Sequence, residues 1–156
     1  MNEREADAAA PPRLLVADDD PGFRRAVAFL LVGSGFRVTE ARDGREALRA
    51  LEAARRDGAP FEILLLDIFM DGASGWQVLR HALDDVAPGE APPRVLLMTG
   101  SPRNGDRARA RSEGASGFLS KPIPATDLLD AIARVQRIPR DIPAIRDAGV
   151  HLTTTG

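Results

Sequence analysis

The chain has 156 residues, 44% of them apolar and 28% charged, which suits one globular domain with a full core and leaves too little for two ordinary domains. Its 21 basic and 23 acidic side chains leave a net charge of -2, so bulk electrostatics give no attraction to nucleic acid or an anionic membrane. No cysteine is present, which removes disulfides, thiolate catalysis and cysteine-ligated metals, and no stretch approaches the roughly 18 apolar residues of a membrane span.

Residues 1–13, MNEREADAAAPPR, are acidic and alanine-rich without an apolar segment, and read as a disordered lead-in rather than a signal peptide. A first strand is expected over residues 14–18. Pro21, with Asp20 as N-cap, opens a helix in which Phe23, Val27, Leu30 and Leu31 face inward and which Gly33 and Gly35 end. A second strand covers 36–40. Asp43 and Glu46 form a capping box for a helix that buries Ala47, Leu48 and Leu51. The run EILLLD closes a third strand over 61–67 and RVLLMT forms a fourth over 94–99, both nearly continuous in apolar residues, as strands covered on two faces are. A helix over 75–85 separates them. A polar helix over 105–113, a strand over 117–120 and a helix from Thr126 or Asp127 that buries Leu128, Leu129, Ile132 and Val135 complete the pattern. Strict alternation predicts an α/β domain over 14–138, a parallel sheet with helices on both faces, followed by a loosely attached tail over 139–156.

The chemistry gathers at strand ends. The stretch LLVADDDP stops an apolar run in three consecutive carboxylates, and like charges about 4 Å apart repel by roughly 4 kcal/mol at an effective dielectric near 20. An acidic run after a strand also reads as a solvated loop or helix cap, which fits Asp20. Asp67 ends an apolar strand where solvation is poor, and a buried carboxylate keeps its charge only beside a cation. Carboxyl ends of parallel strands share one crevice, so Asp18, Asp19 and Asp67 meet Thr99 and Lys121 there, and Pro122 restricts the lysine's backbone, with a cis bond able to re-aim its side chain. Three carboxylates without histidine or cysteine make a hard oxygen site suited to Mg²⁺ or Mn²⁺. With Lys121 as a second positive charge and Thr99 as a hydrogen-bond donor, the constellation is built to hold a phosphoryl group beside an aspartate.

The motifs VADDDP, LLLDIFMDGASG, VLLMTG and FLSKPI, in this order over residues 14 to about 137, resemble the receiver domain of two-component response regulators, the family that includes the chemotaxis response regulator. The resemblance implies a flavodoxin-like (βα)5 fold with strand order 2-1-3-4-5 and a cytoplasmic protein. It also implies that Asp67 is the phosphoacceptor, that Asp18, Asp19, Asp67 and the main-chain carbonyl of Phe69 hold Mg²⁺, that Lys121 pairs with the phosphoryl group, and that Thr99 and Phe118 form the switch. Phe69 and Ser101 then flank the path of the hydrolytic water, and an aromatic ring at the first position implies a long-lived phosphoryl group. Three positions depart from the family pattern: Asp71 stands where proline is usual, Ser74 where an acid is usual, and Gly100 where alanine is frequent.

The function so implied is a phosphoacceptor regulator, loaded by a sensor histidine kinase or histidine phosphotransfer protein, that catalyses its own phosphorylation and dephosphorylation and is not a conventional enzyme. Arg103, Arg107, Arg109, Arg111, Arg134 and Arg137 mark residues 104–137 and their margin as a surface for an acidic protein target or a homodimer, or else as a solvated face. Two rivals remain open. One is the receiver module of a DNA-binding transcriptional regulator, which would contact nucleic acid only through an output domain that 139–156 is too short to supply. The other is a Mg²⁺-dependent phosphatase with an aspartyl-phosphate intermediate, which needs a second acid that only Asp71 offers.

Overall fold

Every residue of the segment Ile63–Asp67 is buried, which a strand achieves only with a neighbour on each edge and a layer on each face. The computed structural model, which describes residues 10–137, supplies both. In chain order the elements are β1 (Arg13–Ala17), α1 (Pro21–Gly33), β2 (Arg37–Ala41), α2 (Gly44–Arg56), β3 (Ile63–Asp67), α3 (Gly75–Asp84), β4 (Arg94–Thr99), α4 (Asp106–Ser112), β5 (Gly117–Ser120) and α5 (Ala125–Arg137). The five strands form one parallel sheet in the order β2-β1-β3-β4-β5, the flavodoxin-like arrangement. Most of the lead-in and the whole tail lie outside the described residues.

Side chains alternate across each strand, and the two sets fill two cores. Leu15, Ala17, Leu64, Leu66, Val95, Leu97 and Phe118 pack under α2, α3 and α4, against Ala47, Ala54, Val78, Leu79, Ala82 and Ala110. Leu14, Val16, Ile63, Leu65, Leu96, Met98 and Leu119 pack against Val27 and Leu31 of α1 and Leu128, Ala131, Ile132 and Val135 of α5. Phe23, Leu30, Leu48, Leu51 and Leu129, expected inside, are partly buried at the margins of these cores.

The element boundaries move slightly from the sequence expectation. β1 begins at Arg13 and leaves Asp18 outside the strand, although the Asp18 N–H still donates to the Ala41 carbonyl at 3.1 Å. β2 is displaced by one residue toward the C-terminus, β3 starts at Ile63 with Phe61 buried just before it, and α5 starts at Ala125. α3 and α4 are shorter than expected because Asp85, Gly105 and Glu113 are caps. The capping box placed on α2 is only half formed: the Asp43 carboxylate accepts from the Glu46 N–H, but the Glu46 carboxylate turns to Arg42. A complete box stands instead on α3, where Ser74 accepts from the Gln77 N–H at 3.2 Å and the Gln77 side chain accepts from the Ser74 N–H at 2.8 Å. The departure at Ser74 therefore has a local use.

α2 is pinned to the loop after β3 at Gly44. Its N–H donates to the Asp71 carbonyl at 3.1 Å, and a Cβ there would stand 1.9 Å from the Ala73 carbonyl oxygen. Gly44→Ala should therefore destabilise the protein by about 2 kcal/mol. Gly33→Ala, where a Cβ meets nothing within 4 Å, should be neutral or stabilising by up to about 1 kcal/mol. Urea denaturation of both variants checks the contrast.

Candidate functional site

A parallel sheet sends all its strands' carboxyl ends to one edge, and the crevice opens where the strand order reverses, here between β1 and β3. β1 runs into Asp18 and Asp19, β3 ends in Asp67, β4 in Thr99, and β5 in Ser120 beside Lys121. Carboxylate oxygens of Asp18, Asp19 and Asp67 all lie within 4.8 Å of one another. Asp18 is fully buried and Asp67 is 6% exposed, while Asp19 faces solvent. The solvated-cap reading thus holds for Asp20, whose carboxylate accepts from the Gly22 and Phe23 N–H groups to cap α1, and fails for Asp18.

Lys121 is the cation that reaches this cluster. Its Nζ donates to Asp18 Oδ2 at 2.6 Å and lies 3.6 Å from Asp67 Oδ2. It also sits 4.3 Å from the centre of the Phe23 ring, which shields one side from water. The Lys121–Pro122 peptide bond is cis. The ammonium is committed mainly to Asp18, so it does not hold Asp67 in the ordinary carboxylate range. Burial, followed by repulsion from Asp18, pushes the Asp67 carboxyl up from 3.8 to about 6 against the pull of Lys121 and of the Phe69 N–H. Lys121 thus offsets only part of the burial and repulsion, and Asp67 carries its charge above about pH 6.

Arg24 also contributes, and its place was missed in the sequence. It is buried on the Arg24–Val27–Ala28–Leu31 stripe of α1, donates through Nη1 to the Asp18 main-chain carbonyl at 2.9 Å, and pairs through Nε with Glu40 at 3.1 Å. A charged residue at an inward helical position is the signal that was available. Together with the Asp20 N–H, which donates to Asp18 Oδ1 at 2.9 Å, it fixes the loop that carries the acidic pair.

Thr99 is fully buried; its Oγ1 accepts from the Ser101 N–H at 3.1 Å, and its carbonyl accepts from the Lys121 N–H at 2.8 Å. Ser101 itself is exposed. The Phe69 N–H donates to Asp67 Oδ1 at 3.4 Å, and the Phe69 ring, 42% exposed, lies under the Arg103 guanidinium, 5.0 Å from its centre. Phe118 is buried, 4% exposed, with the Arg107 guanidinium 5.3 Å from its ring centre. Asp71 is exposed and stands outside the carboxylate cluster.

The arginines expected to share one surface divide among neighbours. Arg103 lies on Phe69, Arg107 on Phe118, and Arg109 on Trp76 of α3, 4.0 Å from its ring centre, while pairing with Glu113. Elsewhere, Phe29 and Val32 of α1 are 84% and 59% exposed; they fall off the helix's inward stripe and present apolar surface to solvent. Among the described residues no helix is long and apolar enough to cross a membrane.

Three oxygen donors without a nitrogen or sulfur ligand suit a hard divalent cation, and the mutual repulsion that raises Asp67 is what such an ion would relieve. The donor set therefore fits a metal of the Mg²⁺ class.

Comparison with known proteins places this geometry. The family description that matches residues 14–133 is that of the response regulator receiver domain. Protein PetR of Rhodobacter capsulatus is 32% identical over 148 residues, which cover 95% of this chain and 57% of PetR, so the chain spans little more than half of that relative. The signal receiver domain of the NarL response regulator from Mycobacterium tuberculosis superposes with a TM-score of 0.68 at 31% identity, covering 83% of this chain and 98% of that one. A response regulator from Burkholderia pseudomallei, solved with a phosphorylated aspartic acid, calcium ion and citrate, superposes with a TM-score of 0.66 at 26% identity over 80% of this chain and 71% of that one.

The raised Asp67 carboxyl has a consequence for stability. Because its value in the folded state lies above the unfolded 3.8, the protonated form is favoured by folding, and that stabilisation is full below about pH 4 and lost as pH rises through about 6. In EDTA, Asp67→Asn should match the wild type in stability near pH 4 and exceed it by about 2 kcal/mol at pH 7. Denaturant melts of both proteins across this range check the sign and the window.

Proposed function

The chain belongs to the response regulator receiver domain family, and from that premise we propose that it is a phosphoacceptor signalling protein that takes a phosphoryl group onto Asp67 from a sensor histidine kinase or a histidine phosphotransfer protein. The observation that carries the reading is the buried Asp67 at the end of β3, set against Asp18, Asp19 and Lys121 at one crevice. An Asp67 carboxylate oxygen attacks phosphorus as the bond to the donor nitrogen breaks, leaving an acyl phosphate. Mg²⁺, or Mn²⁺, held by Asp18, Asp19, Asp67 and the Phe69 main-chain carbonyl, would supply charge to neutralise the phosphoryl oxygens. Lys121 lies 3.6 Å from Asp67 and has only a short shift to make from Asp18 toward a phosphoryl oxygen. Thr99 Oγ1, now accepting from the Ser101 N–H, is free to donate its own proton to that group.

Signalling in this reading passes from Thr99 and its loop to α4 through Arg107 and Phe118. The response is read by a protein target, or by a second copy, at the face formed by residues 104–137. Phe29 and Val32 supply a separate apolar patch suited to a protein partner. A cytoplasmic protein is the setting this function requires. A second reading, favoured by the chain's 57% coverage of PetR, is that it is the receiver portion of a longer regulator with an output domain. The phosphatase reading has less support, since Asp71, the second acid it calls for, is exposed and stands outside the carboxylate cluster.

Acetyl phosphate in Mg²⁺ should add one phosphoryl group to the wild type, and Asp67→Asn should abolish the adduct; intact-mass analysis reads both, and an undiminished adduct on the variant would reject the acceptor. Lys121→Ala should label roughly tenfold more slowly or worse, with Mg²⁺ affinity unchanged or tighter because the ammonium no longer competes for Asp18. Magnesium titration set against labelling rate separates those effects, and equal losses in both would assign Lys121 to metal binding instead.

A further inference from the structure

Lys121 is fixed firmly at its main chain and less firmly at its charge. Its N–H donates to the Thr99 carbonyl at 2.8 Å, whereas the ammonium rides on a flexible four-carbon stem, and the side chain keeps 19% exposure. Around the ammonium stand Asp18 Oδ2 at 2.6 Å, Asp67 Oδ2 at 3.6 Å and the face of the Phe23 ring, with 4.3 Å to its centre. The third acid of the run sets where that ring starts. Asp20 Oδ1 accepts from the Gly22 N–H at 3.0 Å and from the Phe23 N–H at 3.2 Å, while the Asp20 N–H donates to Asp18 Oδ1 at 2.9 Å. The first turn of α1 is thereby tied to the acidic loop, and the Phe23 ring packs at the margin of the core under α1 and α5.

We propose that Phe23 is a positioning residue whose ring holds the Lys121 ammonium at the crevice and so keeps it in place for a phosphoryl oxygen. The proposal rests on the reading of Asp67 as phosphoacceptor and adds to it a residue that acts only through Lys121. The two carboxylates beside the ammonium belong to the set that suits a divalent cation, so ion and lysine compete for the same oxygens. A neutral ring stands outside that competition. Its π face attracts an ammonium, and does so more strongly where water is kept off; an aliphatic side chain of similar bulk keeps water off without that attraction. In transfer from acetyl phosphate, an Asp67 carboxylate oxygen bonds to phosphorus as the bond from phosphorus to the acetyl oxygen breaks, acetate leaves, and no proton changes hands. Lys121 therefore acts as a fixed charge toward the phosphoryl oxygens, and its effect depends on where its ammonium is held.

The test follows phosphoryl addition by intact mass, in acetyl phosphate and saturating Mg²⁺, with Mg²⁺ affinity titrated separately. Phe23→Leu should slow labelling about two- to tenfold and leave Mg²⁺ affinity unchanged or tighter. Phe23→Tyr, which keeps the ring, should label at nearly the wild-type rate. In a Lys121→Met background, which keeps the stem without its charge, Phe23→Leu should change nothing further. Beryllium fluoride, a phosphoryl mimic that needs no donor, reads the same cycle at equilibrium when the Lys121→Met variant labels too slowly to time: Phe23→Leu should weaken its binding by about two- to tenfold only where Lys121 is present. A wild-type rate in Phe23→Leu, an equal loss in Phe23→Tyr, or the same loss in the Lys121→Met background would overturn the proposal. Absence of any adduct on the wild type would instead defeat the acceptor reading and the proposal with it.

Discussion

Repulsion among three carboxylates in a partly dry crevice is the constraint around which this domain is arranged. Asp18 and Asp67 are both buried, Asp19 stands beside them, and the cation that reaches them, Lys121, is committed mainly to one. Such an arrangement costs folding free energy unless charge is added or a proton is kept, and the rise of the Asp67 carboxyl to about 6 is the sign of that cost. A site with that strain suits a divalent ion. The stability given up at the crevice is the counterpart of its affinity.

The remainder of the fold holds that crevice in shape. Parallel pairing of β1, buried from Leu14 onward, with the wholly buried β3 brings Asp18 and Asp67 to the same level at the sheet's edge. Arg24 clamps the main chain of Asp18 from inside α1, and the close approach of α2 at Gly44 fixes the loop after β3. Gly75 does the same from α3: a Cβ there would stand 2.4 Å from the Asp67 carbonyl oxygen, and the Gly75 N–H donates to the Ile68 carbonyl at 2.8 Å. The main chain of Asp67 is thus held by contacts with α3 while its side chain faces the acidic pair. Local rigidity of this kind suits the output proposed above, which passes through small displacements of Thr99 and its loop.

Much of this was legible in the sequence, for reasons that differ by residue. EILLLD and RVLLMT are apolar enough to read as central strands, and once the strands alternate with helices, the position of Asp67, Thr99 and Lys121 at strand ends follows from parallel geometry alone. Half-exposed or short elements were less sharply marked: β2 and α5 shifted by a residue or so because their ends carry mixed side chains and weak stop signals. What sequence spacing does not encode is which charge meets which. Lys121 chooses Asp18, Glu46 chooses Arg42 over its helix cap, and the arginines of the α4 region disperse onto Phe69, Phe118 and Trp76. These are choices among several nearby partners of similar energy, settled by three-dimensional packing. Arg24 is different, because its place on the inward stripe of α1 is marked by helical spacing alone, among apolar neighbours.

The crowded carboxylates suit one divalent cation and are proposed as its site, not merely as an acidic surface. The most direct measurement is the melting midpoint of the wild type across a MgCl₂ titration, set against NaCl at matched ionic strength. Screening acts through ionic strength alone and would raise the midpoint equally in both salts, whereas binding to the folded state gives a rise that follows single-site linkage to the free ion. The expected result is a rise specific to Mg²⁺ that begins at low concentration and is absent in NaCl. Indistinguishable curves in the two salts would contradict it.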